Sequence, residues 1–450
     1  MDYAGSQFGL CTNGQDDNTT PARTGVCYSM ISLCGLLIYI ALEFLRPEVL
    51  LPGVQEQIMQ WVALATISIW LVETIVTGRK WRSYPSTRFF FGFLAVGIIS
   101  ACLNYQSLDK LLSSVGDQVK LFCIFLMMVQ SLDSERKHRF FLGFLVVLCV
   151  YLAAGGVAWT QGYAVPGFSW DNGMRLQYSG IFKDSNDLGQ MFGVAWTIIL
   201  FHLVNGNGIG KRMGDVLLLA VLAWAILLTQ SRGTILASVI GVFLAFRSRL
   251  GTVIPGLAVL VILAAMNLAG VARMDRLSSG ETSAEDRIVA WSQGWYMLRS
   301  HPLFGVGPEN FTKNHPRAAH SSLVQVGAEA GFLGLFCWVG LLYFPLRQTI
   351  LNIWPGVKYA AEATFAQYQI QAGLLVCVVS CLFLSRAYKL PLYLLVALVL
   401  TAGQGTGDEE QPEEEAVPSG LWANFKQVAL AQVACLTFWR FMVRHFVDGI

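Results

Sequence analysis

Charged residues are scarce in this 450-residue chain. Asp, Glu, Lys and Arg make up 13% of it, whereas soluble domains typically carry about 25%. Hydrophobic residues account for 54%, and the mean hydropathy is +0.53. So little charge and so much apolar surface exclude the soluble classes and indicate a polytopic membrane protein embedded in a lipid bilayer. The net charge of +2 gives no sign of a nucleic-acid partner.

Metal-binding and secretory patterns are also missing. The outer loops predicted below contain no Asp-x-Asp pair and the chain has no Cys/His cluster, which disfavours a metal-dependent reaction and predicts no cofactor. No cysteine lies between Arg273 and His320, so that stretch has no disulfide. The first 25 residues are polar, unlike a cleavable signal peptide, and are interpreted as a cytoplasmic segment, residues 1–25.

Twelve apolar segments recur along the chain, although several are shorter than the ~20 residues of a perpendicular span. They predict an all-α membrane protein with about 12 transmembrane helices, nine within residues 26–270 and three within residues 321–402. The segments are Val26–Leu45, Ile58–Thr77, Phe89–Leu103, Val115–Leu132, Phe140–Trp159, Leu188–Val204, Val216–Leu228, Ile235–Phe246, Val253–Ala269, Ser322–Phe344, Ile370–Leu384 and Leu390–Ala402.

Basic residues predict the orientation. With the N-terminus inside, the short inner loops hold thirteen Lys and Arg residues and the short outer loops hold seven. This asymmetry favours both termini in the cytoplasm and a partly helical extracytoplasmic loop over residues 271–320. Within that loop, Ala284–Arg299 shows one apolar stripe and is predicted to be an amphipathic helix that roofs the bundle or lies on its outer surface.

The C-terminal part differs in composition. Residues 403–420 form an acidic linker with six carboxylates. Residues 421–450 mix aromatic residues with Lys426, Arg440 and Arg444, which predicts an amphipathic segment at the membrane surface rather than a thirteenth span.

The candidate functional residues concentrate before the tenth apolar segment, Ser322–Phe344. Pro and Gly residues forbid a continuous helix before Ala319, and a helix starts at Ser321 or Ser322, so His320 lies at or just before a helix N-terminus. The helix dipole there disfavours the imidazolium and favours a neutral, basic imidazole. Arg232 lies in a polar helix break, and Arg287 lies near the start of the loop helix.

Four further residues are secondary candidates. Lys183 and Asn186 lie in GIFKDSNDLG, where the Asn186-Asp187 pair would cap the next helix, and His301 precedes a proline in a turn. Glu329 is the one carboxylate in the apolar stretch after His320, so it is expected to meet an arginine.

A family resemblance rests on these residues. His320-Ser321, followed by nine residues and Gly331, and preceded by His301-Pro302-Leu303-x-Gly305-x-Gly307, resembles the signature of the O-antigen ligase family. The relatives of that family include O-antigen polymerases and bacterial O-linked oligosaccharyltransferases. Arg232 matches the family's Ser-Arg-Gly element, and Arg287, followed four residues later by Trp291, matches a second family arginine less specifically.

The resemblance implies a GT-C-like bundle in the bacterial inner membrane with its site facing the periplasm. It implies transfer of a glycan from a polyprenyl diphosphate carrier to a hydroxyl of a glycolipid or a protein, without a metal. His320 would be the general base, and Arg232 and Arg287 would hold the diphosphate. A ligase acting on lipid A-core is favoured. A polymerase, a protein O-oligosaccharyltransferase, a transporter and a catalytically inactive relative remain alternatives.

Overall fold

The computed structural model describes residues 21–50, 53, 57–78, 81–171, 174–205, 209–268, 284–353, 365–402 and 421–447. Its elements are α1 (Pro21–Leu45), α2 (Pro47–Leu50), α3 (Gln57–Thr77), α4 (Pro85–Asn104), α5 (Leu108–Ser131), α6 (Glu135–Thr160), β1 (Phe168–Asp171), β2 (Arg175–Tyr178), a 3-10 turn (Gly180–Phe182), α7 (Ser185–Asn205), α8 (Ile209–Thr229), α9 (Arg232–Leu250), α10 (Val253–Leu268), α11 (Ala284–Ser300), α12 (Phe311–Asn314), α13 (Ser322–Ile353), α14 (Phe365–Cys381), α15 (Leu390–Thr401) and α16 (Leu421–Val447).

The helical fold class is confirmed, and each predicted apolar segment coincides with a helix. In the described ranges, seven helices are long and apolar enough to cross a membrane: α3, α4, α5, α6, α7, α8 and α13. The helices α1, α14 and α15 are apolar but contribute shorter stretches. A count of about twelve spans stays a prediction.

The bundle has two chemically distinct ends. The hairpin end carries the antiparallel β1–β2 pair, and there the Tyr178 hydroxyl donates to the Leu45 carbonyl at 2.7 Å. The far end holds the His138 contact with Thr401 Oγ1 at 2.7 Å and the Arg82 bond to the Leu132 carbonyl at 3.1 Å. Successive helices therefore run between the ends, as alternating spans require. Which end faces outward stays a prediction from the basic residues.

Helix α15 lies at the centre. All twelve of its residues are buried, and a helix that is apolar all round belongs inside a bundle. At 1.5 Å per residue the helix is about 18 Å long, which is less than the thickness of the hydrocarbon core of a bilayer. Because protein surrounds it, this helix packs against other helices rather than lipid.

The longest helix, α13, is broken at Gly331, which has φ 69° and ψ −166°. The freed backbone groups bond to the segment 302–307: the amide of Phe332 donates to the Pro302 carbonyl at 2.7 Å, and the amide of Gly307 donates to the Glu329 carbonyl at 3.0 Å. A backbone break inside a membrane bundle persists only where such partners exist. The glycine-rich stretch before His320 thus fills the break.

Glycines permit this close approach. A Cβ at Gly331 would lie 2.5 Å from the Leu303 carbonyl carbon, and a Cβ at Gly305, which has φ 68°, would overlap the backbone of Glu329. The Ser100 hydroxyl completes the junction by donating to the Glu329 carbonyl at 3.0 Å. Helix α4 therefore packs directly on both halves of α13.

The C-terminal segment forms helix α16, which packs along the bundle. Phe425 packs on Phe89 of the far end with ring centroids 5.6 Å apart, whereas Trp439 packs on Trp295 of α11 at 5.3 Å. Midway, Gln432 Nε2 donates to the Phe332 carbonyl at 2.9 Å. The helix therefore runs antiparallel to the first half of α13. Its amphipathic location at the membrane surface and the cytoplasmic location of both termini stay predictions.

The predicted helix over Ala284–Arg299 corresponds to α11, which roofs α13 and α16 at the hairpin end. The predictions for residues 1–20, for 269–283 of the predicted loop and for the acidic linker 403–420 lie outside the described residues. The β1–β2 hairpin was not predicted.

Replacing Gly331 by Ala should destabilise the protein by roughly 2–6 kcal/mol. Its backbone region is nearly restricted to glycine, which costs about 1–3 kcal/mol, and the overlap with Leu303 adds about 1–3 kcal/mol. The measurement is thermal or denaturant unfolding of the purified protein in detergent, followed by tryptophan fluorescence.

Gly143→Ala is the matched control, because Gly143 is an exposed helical glycine in α6 and a Cβ there meets nothing within 4 Å. It should be neutral or stabilising by about 0.5–1 kcal/mol. Equal stability of the two variants would refute the role given to the break in α13.

Candidate functional site

His320 is held in an uncommon backbone conformation at the hairpin end. Its φ is 47°, in the left-handed region that histidine tolerates better than most residues. The next residue, Ser321, directly precedes α13, and its carbonyl accepts the amide of Gln325 at 2.9 Å. The predicted position just before a helix N-terminus is confirmed.

Ser322, the first residue of α13, bonds to a distant loop. The Ser322 hydroxyl donates to the Leu384 carbonyl at 2.7 Å and accepts the amide of Arg386 at 2.8 Å. It therefore ties the start of α13 to the loop between α14 and α15.

Two tryptophan side chains, linked by hydrogen bonds, hold Ala319, the residue before His320. Trp291 Nε1 of α11 donates to the Ala319 carbonyl at 3.0 Å, and Trp439 Nε1 of α16 donates to the Trp291 carbonyl at 3.2 Å. The Trp439 ring fits beside two glycines, since a Cβ at Gly327 would lie 2.6 Å from it. Helix α16 is thus connected to the His320 loop.

The surroundings of His320 are cationic. Burial lowers the pKa of its imidazole below 6.5, the guanidinium of Arg287 lowers it next, and Arg175 and Arg317 add to the effect. The Asp184 carboxylate opposes them and raises the pKa. The imidazole is therefore neutral at pH 7, and three guanidiniums lie within electrostatic range of it.

The two predicted diphosphate-binding arginines differ in their relation to His320: Arg287 is among the groups that lower the pKa of the imidazole, whereas Arg232 is not. Arg232 is the first residue of α9 and is exposed, after a break where Gln230 has φ 50° and the Ser231 hydroxyl accepts the amide of Thr234 at 3.3 Å. Arg232 is at the hairpin end but is not among the groups that shift the pKa of His320.

Arg175 is the guanidinium that joins this break to His320. Its Nε donates to the Thr229 carbonyl at 3.2 Å, and its Nη1 lies 3.8 Å from Asp171 Oδ2. Sequence reasoning missed Arg175, because only the fold of the β1–β2 hairpin carries it over the bundle.

The secondary candidates have separate positions. Lys183 is exposed, and exposed His301 accepts the amide of Gly305 with its carbonyl at 3.0 Å and so shapes a turn. Asn186 is buried, and its Nδ2 donates to Asp184 Oδ1 at 2.9 Å. The predicted cap is wrong by two residues, because Asp184 also accepts the Asn186 amide with its side chain, at 2.8 Å.

In the described part of the chain, Glu329 bonds to backbone and to no arginine. Its side chain is buried, and Oε1 accepts the amide of Phe311 at 3.1 Å. The expected arginine partner is not found among the described residues, because the backbone of the segment after Gly307 lies beside the carboxylate. Glu329 thereby anchors the loop that leads to His320.

A buried ion pair was also missed. Arg386 is 1% exposed, its Nη1 lies 2.7 Å from Asp187 Oδ2, and its Nε donates to Gln190 Oε1 at 3.1 Å. In the sequence, Arg386 lies in a short connection between two apolar segments. It was used there only as one of the basic residues that predict the orientation in the membrane. The pair locks α7 to the Arg386 loop, and through Ser322 to α13.

Among the described residues, no group of three or more His, Cys, Asp or Glu side chains could hold a metal ion. The arrangement offers instead a neutral base and forked cationic donors at the end of a membrane bundle. Such groups accept a proton and bind phosphate oxygens.

Comparison with known proteins identifies one segment. Residues 217–339 match the family model described as O-antigen ligase. The matched segment contains Arg232, Arg287 and His320, whereas Arg175, Arg386 and α16 lie outside it. The predicted resemblance is confirmed over this segment. No curated protein matches the chain.

Removing the charge of Arg287 should raise the pKa of His320 toward 6.5. The imidazole reacts with diethyl pyrocarbonate only when neutral, so the modification rate of residue 320 should fall with acidity at a higher pH in Arg287→Gln than in the wild type. Mass spectrometry of the labelled peptide across pH 4–8 measures this.

Arg299→Gln is the control for that titration, because Arg299 lies on the same helix, is exposed and is not among the groups acting on His320. Its profile should coincide with that of the wild type. A profile of Arg287→Gln that does not move would place Arg287 away from the imidazole.

Trp439→Ala should destabilise the protein by about 3–5 kcal/mol, as other buried tryptophan truncations do, and should also speed modification of His320 by loosening Trp291. Phe441→Ala, at an exposed position of α16, should change stability by no more than about 0.5 kcal/mol. Unfolding in detergent and peptide labelling test both. An unchanged labelling rate in Trp439→Ala would disconnect α16 from the His320 loop.

Proposed function

We propose that this chain, whose residues 217–339 belong to the O-antigen ligase family, transfers a glycan from a polyprenyl diphosphate carrier to an acceptor hydroxyl at the outer face of the bacterial inner membrane. The observation that carries this proposal is the neutral His320 among the guanidiniums of Arg175, Arg287 and Arg317 at one end of a membrane bundle. The family supports a ligase or polymerase type of membrane enzyme.

The reaction is a direct displacement at the anomeric carbon. The acceptor oxygen forms a new bond to that carbon while the bond to the phosphate oxygen breaks, so the configuration inverts. The acceptor proton passes to the His320 imidazole, and the polyprenyl diphosphate leaves with the bonding pair. No metal enters this scheme.

His320 suits the role of general base because its imidazole is already neutral. A hydroxyl is a poor nucleophile, and positioned proton transfer contributes typically 10²–10⁴-fold. We expect the cations that lower the pKa of the imidazole to bind the departing anion as well. One electrostatic arrangement therefore serves both needs.

Arginine suits the leaving group. Its planar fork matches phosphate oxygens, and fixed cations stabilise charge that develops in the transition state. Arg287 and Arg232 keep the diphosphate-binding role expected from the resemblance, and Arg175 joins them on the strength of its position. A ligase acting on lipid A-core is the favoured member of this group of enzymes.

The test is His320→Asn in a strain that lacks the chromosomal gene. Asn tolerates the left-handed backbone of residue 320 but provides no base, so the fold is kept while transfer falls by at least about 10²-fold. Surface lipopolysaccharide, lipid-linked glycan and glycoproteins are profiled by gel and mass spectrometry.

His445→Asn, at an exposed position of α16, is the control and should complement fully. In the deletion strain, accumulated lipid-linked glycan with bare lipid A-core indicates a ligase, glycan of a single repeat a polymerase, and lost protein glycosylation an oligosaccharyltransferase. Full transfer by His320→Asn at equal protein level would remove the proposed base.

A further inference from the structure

A second polar feature lies beside the His320 site. A cavity of about 350 Å³ opens between α1, α5, residues 180–187 and the loops 308–309 and 388–390. This volume is within the range of small-molecule pockets. Neither His320 nor the guanidiniums that lower its pKa line this cavity.

The cavity and the His320 site share one wall. Asp187 lines the cavity and pairs with Arg386 at 2.7 Å. The amide of Arg386 in turn donates to Ser322, two residues after His320. A ligand in the cavity is therefore separated from the start of α13 by a single ion pair and its loop.

The charge of the cavity is balanced. Its lining includes four cations and four carboxylates, which are Arg46, Lys120, Lys183, Lys389, Glu43, Asp117, Asp187 and Glu309. Two of the opposite charges pair within α5, where Lys120 Nζ lies 2.9 Å from Asp117 Oδ1. A diphosphate prefers the surroundings of His320, where three of the four charged groups that act on the imidazole are guanidiniums. A polyhydroxylated ligand gains from acceptors and donors together.

Two charged residues of the lining argue for a ligand. Asp117 and Lys120 lie within α5, a candidate membrane span, where ionisable side chains are costly and usually functional.

We propose that this cavity binds the saccharide end of the acceptor and directs its attacking hydroxyl toward His320. The inference rests on the proposed function and deepens it. Sugar hydroxyls donate to the Asp117 and Glu309 carboxylates and accept from Lys183 and Lys389. Because lining residues Asp117 and Lys120 lie within a candidate membrane span, the cavity suits a glycolipid acceptor better than a serine or threonine on a folded protein.

Kinetics on two substrates test the assignment. Transfer by the purified enzyme is measured with undecaprenyl diphosphate-linked repeat units as donor and lipid A-core from a ligase-deficient strain as acceptor. In Asp117→Asn and in Glu309→Gln, the KM for lipid A-core should rise about tenfold, while the KM for the donor and kcat at saturating acceptor stay within about twofold.

Asp109→Asn is the matched control, because Asp109 lies in the first turn of the same helix, is exposed and does not line the cavity. Its constants should equal those of the wild type. A raised KM for the donor, a fall in kcat alone, or no change in either cavity variant would each overturn the assignment.

Photocrosslinking separates failure of the cavity assignment from failure of the proposed function. p-Benzoylphenylalanine replaces Ile181, a lining residue, and the protein is irradiated in membranes with radiolabelled lipid A-core. Crosslinking of lipid A-core supports the cavity even if the wild type shows no transfer. No crosslink, or a crosslink to the polyprenyl diphosphate donor, overturns it.

Discussion

The break in α13 is the constraint on which the site depends. In a membrane bundle every backbone amide and carbonyl needs a partner, and the partners for the groups freed at Gly331 come from the segment 302–307. That segment runs against α13 only because glycines at 305 and 331 let two backbones meet. The chain must then return to begin the same helix at Ser322, and His320 lies on that return.

Support for His320 comes from three directions. The loop before α15 holds Ser322, the indole of Trp291 holds Ala319, and Glu329 holds the segment after Gly307. Each contact reaches backbone rather than another exposed side chain. The loop is therefore positioned by the bundle itself, as the base in the proposed reaction would need.

The features that could be predicted from the sequence are those that depend on local residue patterns. Apolar runs gave the helices, and a proline- and glycine-rich stretch before Ser322 gave the position of His320 ahead of a helix start. Arg175 and Arg386 were not found as site residues, because their importance depends on a hairpin and a loop folding over residues more than fifty positions away. The packing of α16 on α11 and α13 was not predicted, because the charges of this helix obscure a buried face on which Val428 and Trp439 are almost fully covered.

Position 320 satisfies two requirements with one side chain. The left-handed backbone there admits few residues besides glycine, asparagine, aspartate and histidine, and of these only histidine is a base near neutral pH. For the proposed reaction, lysine or glutamate at this position would keep proton transfer and strain the turn. Asparagine would keep the turn and lose proton transfer, so the fold of this loop tolerates the loss of its base.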